Sequence, residues 1–190
     1  MLQEVCSHFN KKMYRHGPDV SIGFCGLHCV RAQMTTPTFT GPSGLAEFSE
    51  TCATELFKAV QYQFTFPVSC TLQNWPIEDI KRANKELLKT LRHSGNVYVL
   101  FVRAPTEGAN WVPVYVGERK SVGLRERITQ HLIDKDERTG SMLEAVKTAV
   151  TSGSTIGLSF IKVLPESLRL YVEETIISKH KSFLPWNTHS

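Results

Sequence analysis

Asn96-Val-Tyr98-Val-Leu-Phe-Val-Arg103 and Trp111-Val-Pro-Val-Tyr115-Val-Gly117 are the two stretches whose reading decides the fold. Both are rich in β-branched and aromatic residues, the types that suit a pleated, half-buried surface. Between them lies Ala104-Pro-Thr-Glu-Gly-Ala-Asn110, a run of turn-forming residues. Two strands joined by such a run predict a hairpin. With Tyr98 opposite Tyr115, Arg103 falls opposite Asn110. Directly opposed residues share a face of the sheet, so this register sets the two phenols side by side.

Working outward, Ser121 to Lys135 carries Leu124, Ile128 and Leu132 at helical spacing, with Arg127 and His131 on an adjacent stripe. Ser141 to Val150 predicts a further helix, ended by Gly153. Thr155 to Leu164 predicts a third strand. Pro165 then opens a last helix with Leu168, Val172 and Ile176 inward. Upstream, Pro76 suits the first turn of a helix, Glu78 and Asp79 complement its dipole, and Gly95 stops it. The order from residue 96 is β-β-α-α-β-α. It predicts an α+β domain, a small and mostly antiparallel three-stranded sheet flanked by helices.

Residues 76–190 form that domain with its leading helix, and residues 1–75 form an N-terminal extension, a candidate DNA-contacting arm. Pro and Gly punctuate the extension. Thr35 to Ser43 reads as a loop, Gly44 to Tyr62 as a short helix and Phe64 to Val68 as a strand broken by Pro67. Five Lys and Arg balance five Asp and Glu over 1–75, so the net charge of +4 resides in 76–190. That favours an anionic partner. No apolar run is long enough to span a bilayer and no signal-peptide pattern opens the chain, so no membrane partner and an intracellular location, cytoplasm or nucleus, are expected. All five cysteines lie in the first 70 residues, and an odd number without a secretory signal implies reduced thiols. Cys6, His8, Cys25, His28 and Cys29 can supply a zinc site; scattered structural thiols are the alternative.

Five pieces recur in one order: Asn96-Val-Tyr98, Tyr115-Val-Gly117, Leu124-x-x-Arg127-x-x-x-His131, Glu173 followed by Ile176-Ile177, and Pro185-Trp-Asn187. In this order residues 96–187 resemble the GIY-YIG nuclease superfamily, and most its restriction-endonuclease branch. Asn96-Val97 stands where the family has Gly-Ile. Two residues more than the common spacing separate Gly117 from Leu124. Arg125 competes with Arg127, but Arg127 alone keeps both helix spacings. Glu174 competes with Glu173, but Glu173 alone lies three and four residues before the apolar pair.

The resemblance implies a divalent-metal-dependent endonuclease that hydrolyses DNA phosphodiester bonds. Glu173 would hold one Mg²⁺ (or Mn²⁺), since such ions take one or two carboxylates plus water and phosphate. Arg127 would grip a phosphate oxygen. Tyr98 would act as general base or relay, its phenol pKa of about 10 lowered by nearby cations. Tyr115 would orient water or phosphate, and His131 would accept the proton of Tyr98. Asn187 would hold the site by hydrogen bonds, and Gly117 would allow close backbone approach. Arg119, Lys120 and Arg125 would track the backbone of duplex DNA. Restriction cleavage would favour a homodimer, because palindromic sites mirror a two-fold axis. The alternative is a non-catalytic nucleic-acid-binding module on the same fold.

Overall fold

The strand built on Tyr98 is apolar on both of its faces, and it lies in the interior of an antiparallel sheet. The computed structural model describes residues 44–187 apart from Glu107, Ala109 and 135–140. The zinc candidates Cys6, His8, Cys25, His28 and Cys29 and the Thr35–Ser43 loop lie outside the described residues. In chain order the elements are α1 (Leu45–Lys58), β1 (Tyr62–Gln63), α2 (Ile77–Ala83), α3 (Lys85–Thr90), β2 (Val97–Arg103), β3 (Val112–Glu118), α4 (Leu124–Leu132), α5 (Leu143–Thr151), β4 (Thr155–Ile161) and α6 (Arg169–His180). The protein is α+β, with helices flanking the sheet. No helix among the described residues is long and apolar enough to cross a membrane.

The sheet has four strands, in the order β1-β4-β2-β3, not the three expected. All neighbours run antiparallel. The added strand is Tyr62–Gln63, which pairs with Leu158 and Gly157 of β4. Two residues are too few to show an alternation. The expected strand from Phe64 to Val68 does not form. The main-chain groups of Thr65 bond the Asn84 side chain instead of a neighbouring strand, and Pro67 lacks a donor.

The helix expected from Pro76 to Gly95 is broken at Asn84 for the same reason. Asn84 is buried, and its amide donates to the carbonyls of Thr65 and Ile80. An asparagine that turns inward to bond the backbone competes with helix propagation. Gly95 packs against β4, since a Cβ there would lie 2.5 Å from the Phe160 ring.

One face of the sheet carries Tyr98, Leu100, Leu158 and Phe160 against α2, α3, α4 and α5. The other carries Val97, Val99, Phe101 and Val116 against α1 and α6. The inward stripe Leu124, Ile128 and Leu132 of α4 is fully buried, as its spacing predicts.

Four carboxamides clasp the sheet and its surroundings. Asn96 accepts from the Val163 N–H at 2.7 Å and donates to its carbonyl at 2.9 Å. Asn187 does the same to Val116, both at 2.8 Å. Gln61 does so to Phe160 and Asn84 to Thr65. An extended residue points its N–H and C=O to the same side, and a primary amide offers the complementary acceptor and donor. Asn96, which stands where the compared motif has glycine, thereby continues the pairing of β2 with the chain beyond β4.

Asn96→Ala leaves two buried backbone groups of Val163 without partners. At about 1–3 kcal/mol for each such group, the substitution is expected to lower unfolding free energy by roughly 2–4 kcal/mol. Urea denaturation measures this; a loss under about 0.5 kcal/mol, the level of an ordinary surface change, would show that the clasp is dispensable.

Candidate active site

The register of the hairpin sets the site. Tyr98 pairs with Gly117, and Tyr115 pairs with Leu100. The expected direct opposition of the two tyrosines is therefore not found. The ladder slips at Leu100/Phe101, where the partner jumps from Tyr115 to Pro113. Proline has no N–H to give to a ladder and is commonly placed at such bulges. The tyrosines remain on one face, because the offset along β3 is two residues. Their ring centroids are 6.1 Å apart.

Gly117 makes room for this arrangement. A Cβ at that position would lie 2.5 Å from Tyr98 Oη and 2.7 Å from the Tyr115 ring. The Tyr98 phenol thus crosses β3 over bare backbone and ends 2.7 Å from His131 Nε2 on α4. Both groups are fully buried. The Met142 N–H donates to His131 Nδ1 at 3.0 Å. Nδ1 is therefore the acceptor, and the proton of the neutral imidazole sits on Nε2, which donates to Tyr98.

Both nitrogens of His131 are engaged, Nδ1 by the Met142 N–H and Nε2 by Tyr98, an arrangement in which it donates to the phenol. Burial, helped by the positive charge of Arg127, pushes its pKa down to about 3. His131 is a neutral donor that holds the phenol in place. Arg127 by itself does not lower the phenols below their ordinary value. Burial drives Tyr98 well above the ordinary phenol value, and the Tyr115 charge adds to this; Arg127 pulls the other way without prevailing. Tyr115 is also raised, by burial, with Arg127 again opposing.

Arg127 is half-buried and faces both phenols. Burial disfavours its charge, but the two phenol oxygens hold its pKa above the ordinary arginine value. Arg125 is half-buried as well; Arg119 and Lys120 are exposed just after β3. Glu173 is half-buried on α6, and Glu174 beside it is exposed. Glu173 acts electrostatically on Tyr98, Tyr115 and Arg127 alike. Burial first and the Glu118 carboxylate second lift its pKa to about 7, while the Glu118 backbone N–H opposes the rise. Asn187 reaches the site from the far end of the chain by clasping Val116, between Tyr115 and Gly117.

Three contributors escaped the sequence reading: the Met142 N–H, Glu118 and Arg169. Arg169 Nε donates to Glu118 Oε2 at 2.6 Å across 51 positions of sequence. Glu118 directly follows Gly117, and a charge ending a buried strand beside a required glycine was the available signal. Its partner left none.

The donor set fits a hard divalent ion modestly. Glu173 is a carboxylate kept where negative charge is costly and a second carboxylate is near. No three His, Cys, Asp or Glu side chains gather among the described residues. Mg²⁺ or Mn²⁺ would be held by Glu173 with water and substrate oxygens.

His131 provides a pH test. It is neutral when folded and takes a proton near pH 6.5 when unfolded. Falling pH therefore favours the unfolded chain from about 6.5 down to about 3, and above that window His131 contributes nothing. At pH 5 the loss is roughly 2 kcal/mol. Urea denaturation at pH 7 and pH 5 should show a drop smaller by about this amount in His131→Gln than in the parent. Equal drops in both proteins contradict the assignment. No family model, curated protein or solved structure matches the chain, and the site stands on its own geometry.

Proposed function

We propose that the protein is a divalent-metal-dependent endonuclease of the GIY-YIG type that hydrolyses phosphodiester bonds in DNA. The observation that carries this reading is the convergence of Tyr98, Tyr115, Arg127 and Glu173 around Gly117. Phosphodiester hydrolysis needs charge neutralisation on the phosphate, an oriented water and relief of the leaving oxygen. Arg127 offers a permanent positive charge with several donors and binds a non-bridging oxygen. Tyr115, at 9% exposure against 0% for Tyr98, is the phenol that meets substrate and orients the attacking water. As the phenolate, Tyr98 would take the proton of that water directly or through Tyr115, which would pass its own proton to Tyr98 as it receives the water's. His131 and the backbone of Met142 keep the Tyr98 oxygen fixed from behind.

Glu173 would hold a Mg²⁺ or Mn²⁺ ion, whose positive charge would stabilise the phosphate and favour the phenolate over the phenol. Arg127 alone does not overcome burial. Arg119, Lys120 and Arg125 support duplex DNA as the partner, because a backbone of phosphates rewards clustered cations beside the cut. A homodimer on a two-fold DNA site belongs to the same reading.

A second reading is a nucleic-acid-binding module without catalysis. The complete burial and raised pKa of Tyr98 favour it. Incubation of supercoiled plasmid with Mg²⁺ separates the two. The parent should nick or linearise the plasmid, and Glu173→Ala and Arg127→Ala should each slow this by about 100-fold or more, the usual cost of losing one charge-stabilising group. Arg125→Ala should cut within a few fold of the parent. Binding to DNA with no cleavage by any protein selects the module. Loss of cutting in Arg125→Ala but not in Arg127→Ala would assign the arginine of the site to Arg125.

A further inference from the structure

We propose that Glu118 is a second carboxylate for the cation of the Glu173 site, and that Arg169 is its counter-ion until that cation arrives. The inference rests on the cation of the nuclease reading. Glu118 ends β3, one residue past Gly117, and its backbone N–H faces the Glu173 carboxylate. Arg169 and Glu173 are four residues apart on α6, so they share one face of that helix. Arg169 Nε meets Glu118 Oε2 at 2.6 Å, and the two side chains are only 16% and 20% exposed. Nη1 of Arg169 also donates to the Glu166 carbonyl at 3.1 Å, which anchors the guanidinium in the turn before α6.

Two carboxylates and the Arg169 guanidinium thus share a half-buried corner, and Arg127 acts on Glu173 from α4. Like charges held together away from water repel more strongly than at the surface. Arg169 relieves Glu118, and Glu173 is left with Arg127, which does not offset its burial. A divalent ion on Glu173 completes the balance and attracts the Glu118 carboxylate, which can turn from Arg169 by side-chain rotation alone. Mg²⁺ and Mn²⁺ sites accept one or two protein carboxylates, so the second ligand is within their ordinary chemistry. Glu118 then raises the protein's affinity for the ion before DNA binds, and Arg169 lowers it.

Calorimetric titration of the DNA-free protein with MnCl₂ tests this. Glu118→Gln keeps an acceptor for Arg169 and so keeps α6 in place, but removes the charge; Mn²⁺ binding should weaken by about tenfold. Arg169→Gln keeps a donor to Glu118 but removes the competing cation; binding should tighten by a similar factor. Opposite shifts are the expected result. Shifts in the same direction reduce the pair to a clamp on α6 and overturn the proposal, as does a parent that binds no Mn²⁺ or variants that bind it unchanged. Circular dichroism checks that each variant is folded, and Arg169→Lys, which restores the positive charge, should return the affinity toward the parent's; failure to do so also overturns it. Plasmid cleavage run alongside keeps the two readings apart. A parent that cuts DNA while Glu118→Gln binds Mn²⁺ normally removes this inference and leaves the nuclease. Opposite shifts with no cutting by the parent remove the nuclease and leave the inference.

Discussion

The Tyr98 phenol lies across β3 at Gly117, and the rest of the site depends on that crossing. Any side chain at position 117 would meet the phenol oxygen at 2.5 Å. Because none is there, the hydroxyl reaches His131 on the neighbouring helix. His131 in turn is locked in one tautomer by the backbone N–H of Met142, just ahead of α5. Arg127, one turn earlier on the same helix, then faces both phenols. Strand register, helix placement and protonation state are consequences of one contact over bare backbone.

Neutral groups hold this framework and ionisable ones gather at its edge. The clasps by Gln61, Asn84, Asn96 and Asn187 satisfy backbone donors and acceptors with no charge to desolvate. That suits burial, since an amide with both partners costs little and an unpaired charge costs much. The ionisable groups show the opposite balance. Burial raises both phenols and Glu173 and lowers His131, and Arg127 does not reverse any of the three rises. Buried acids that Arg127 does not fully compensate are the physical condition under which a divalent ion would be useful.

Much of the fold was legible in the residues. β2, β3 and β4 announce themselves through Val, Ile, Tyr and Phe, and the buried stripe of α4 follows from its spacing. Long, apolar, periodic segments carry their own signal. What escaped was set by partners far along the chain. Asn84 breaks a helix to bond Thr65, nineteen residues away. Tyr62–Gln63 becomes a strand because β4 and the Gln61 clasp receive it. The hairpin slips by two residues at Tyr98: one comes from the register in which the strands leave their turn and one from the bulge beside Pro113, a proline visible in the sequence. In the site, the shared face of Tyr98 and Tyr115 was readable from the alternation of the strands; Arg127 faces both phenols, and Glu173 is more buried than Glu174. The state of each group was not readable, because burial fixes it: His131 reads as a neutral-pH acid or base in sequence and is a locked donor in the fold.

The substitution Gly117→Ala measures the central claim most directly, because it adds one methyl group where the phenol must pass. Overpacking of this kind costs about 1–3 kcal/mol, so the variant is expected to fold with a lowered melting temperature. With Tyr98 displaced from His131, its Mg²⁺-dependent plasmid cleavage should fall by about 100-fold or more, on the scale of losing one oriented catalytic group. A folded Gly117→Ala protein that cuts plasmid at the parental rate would contradict the account.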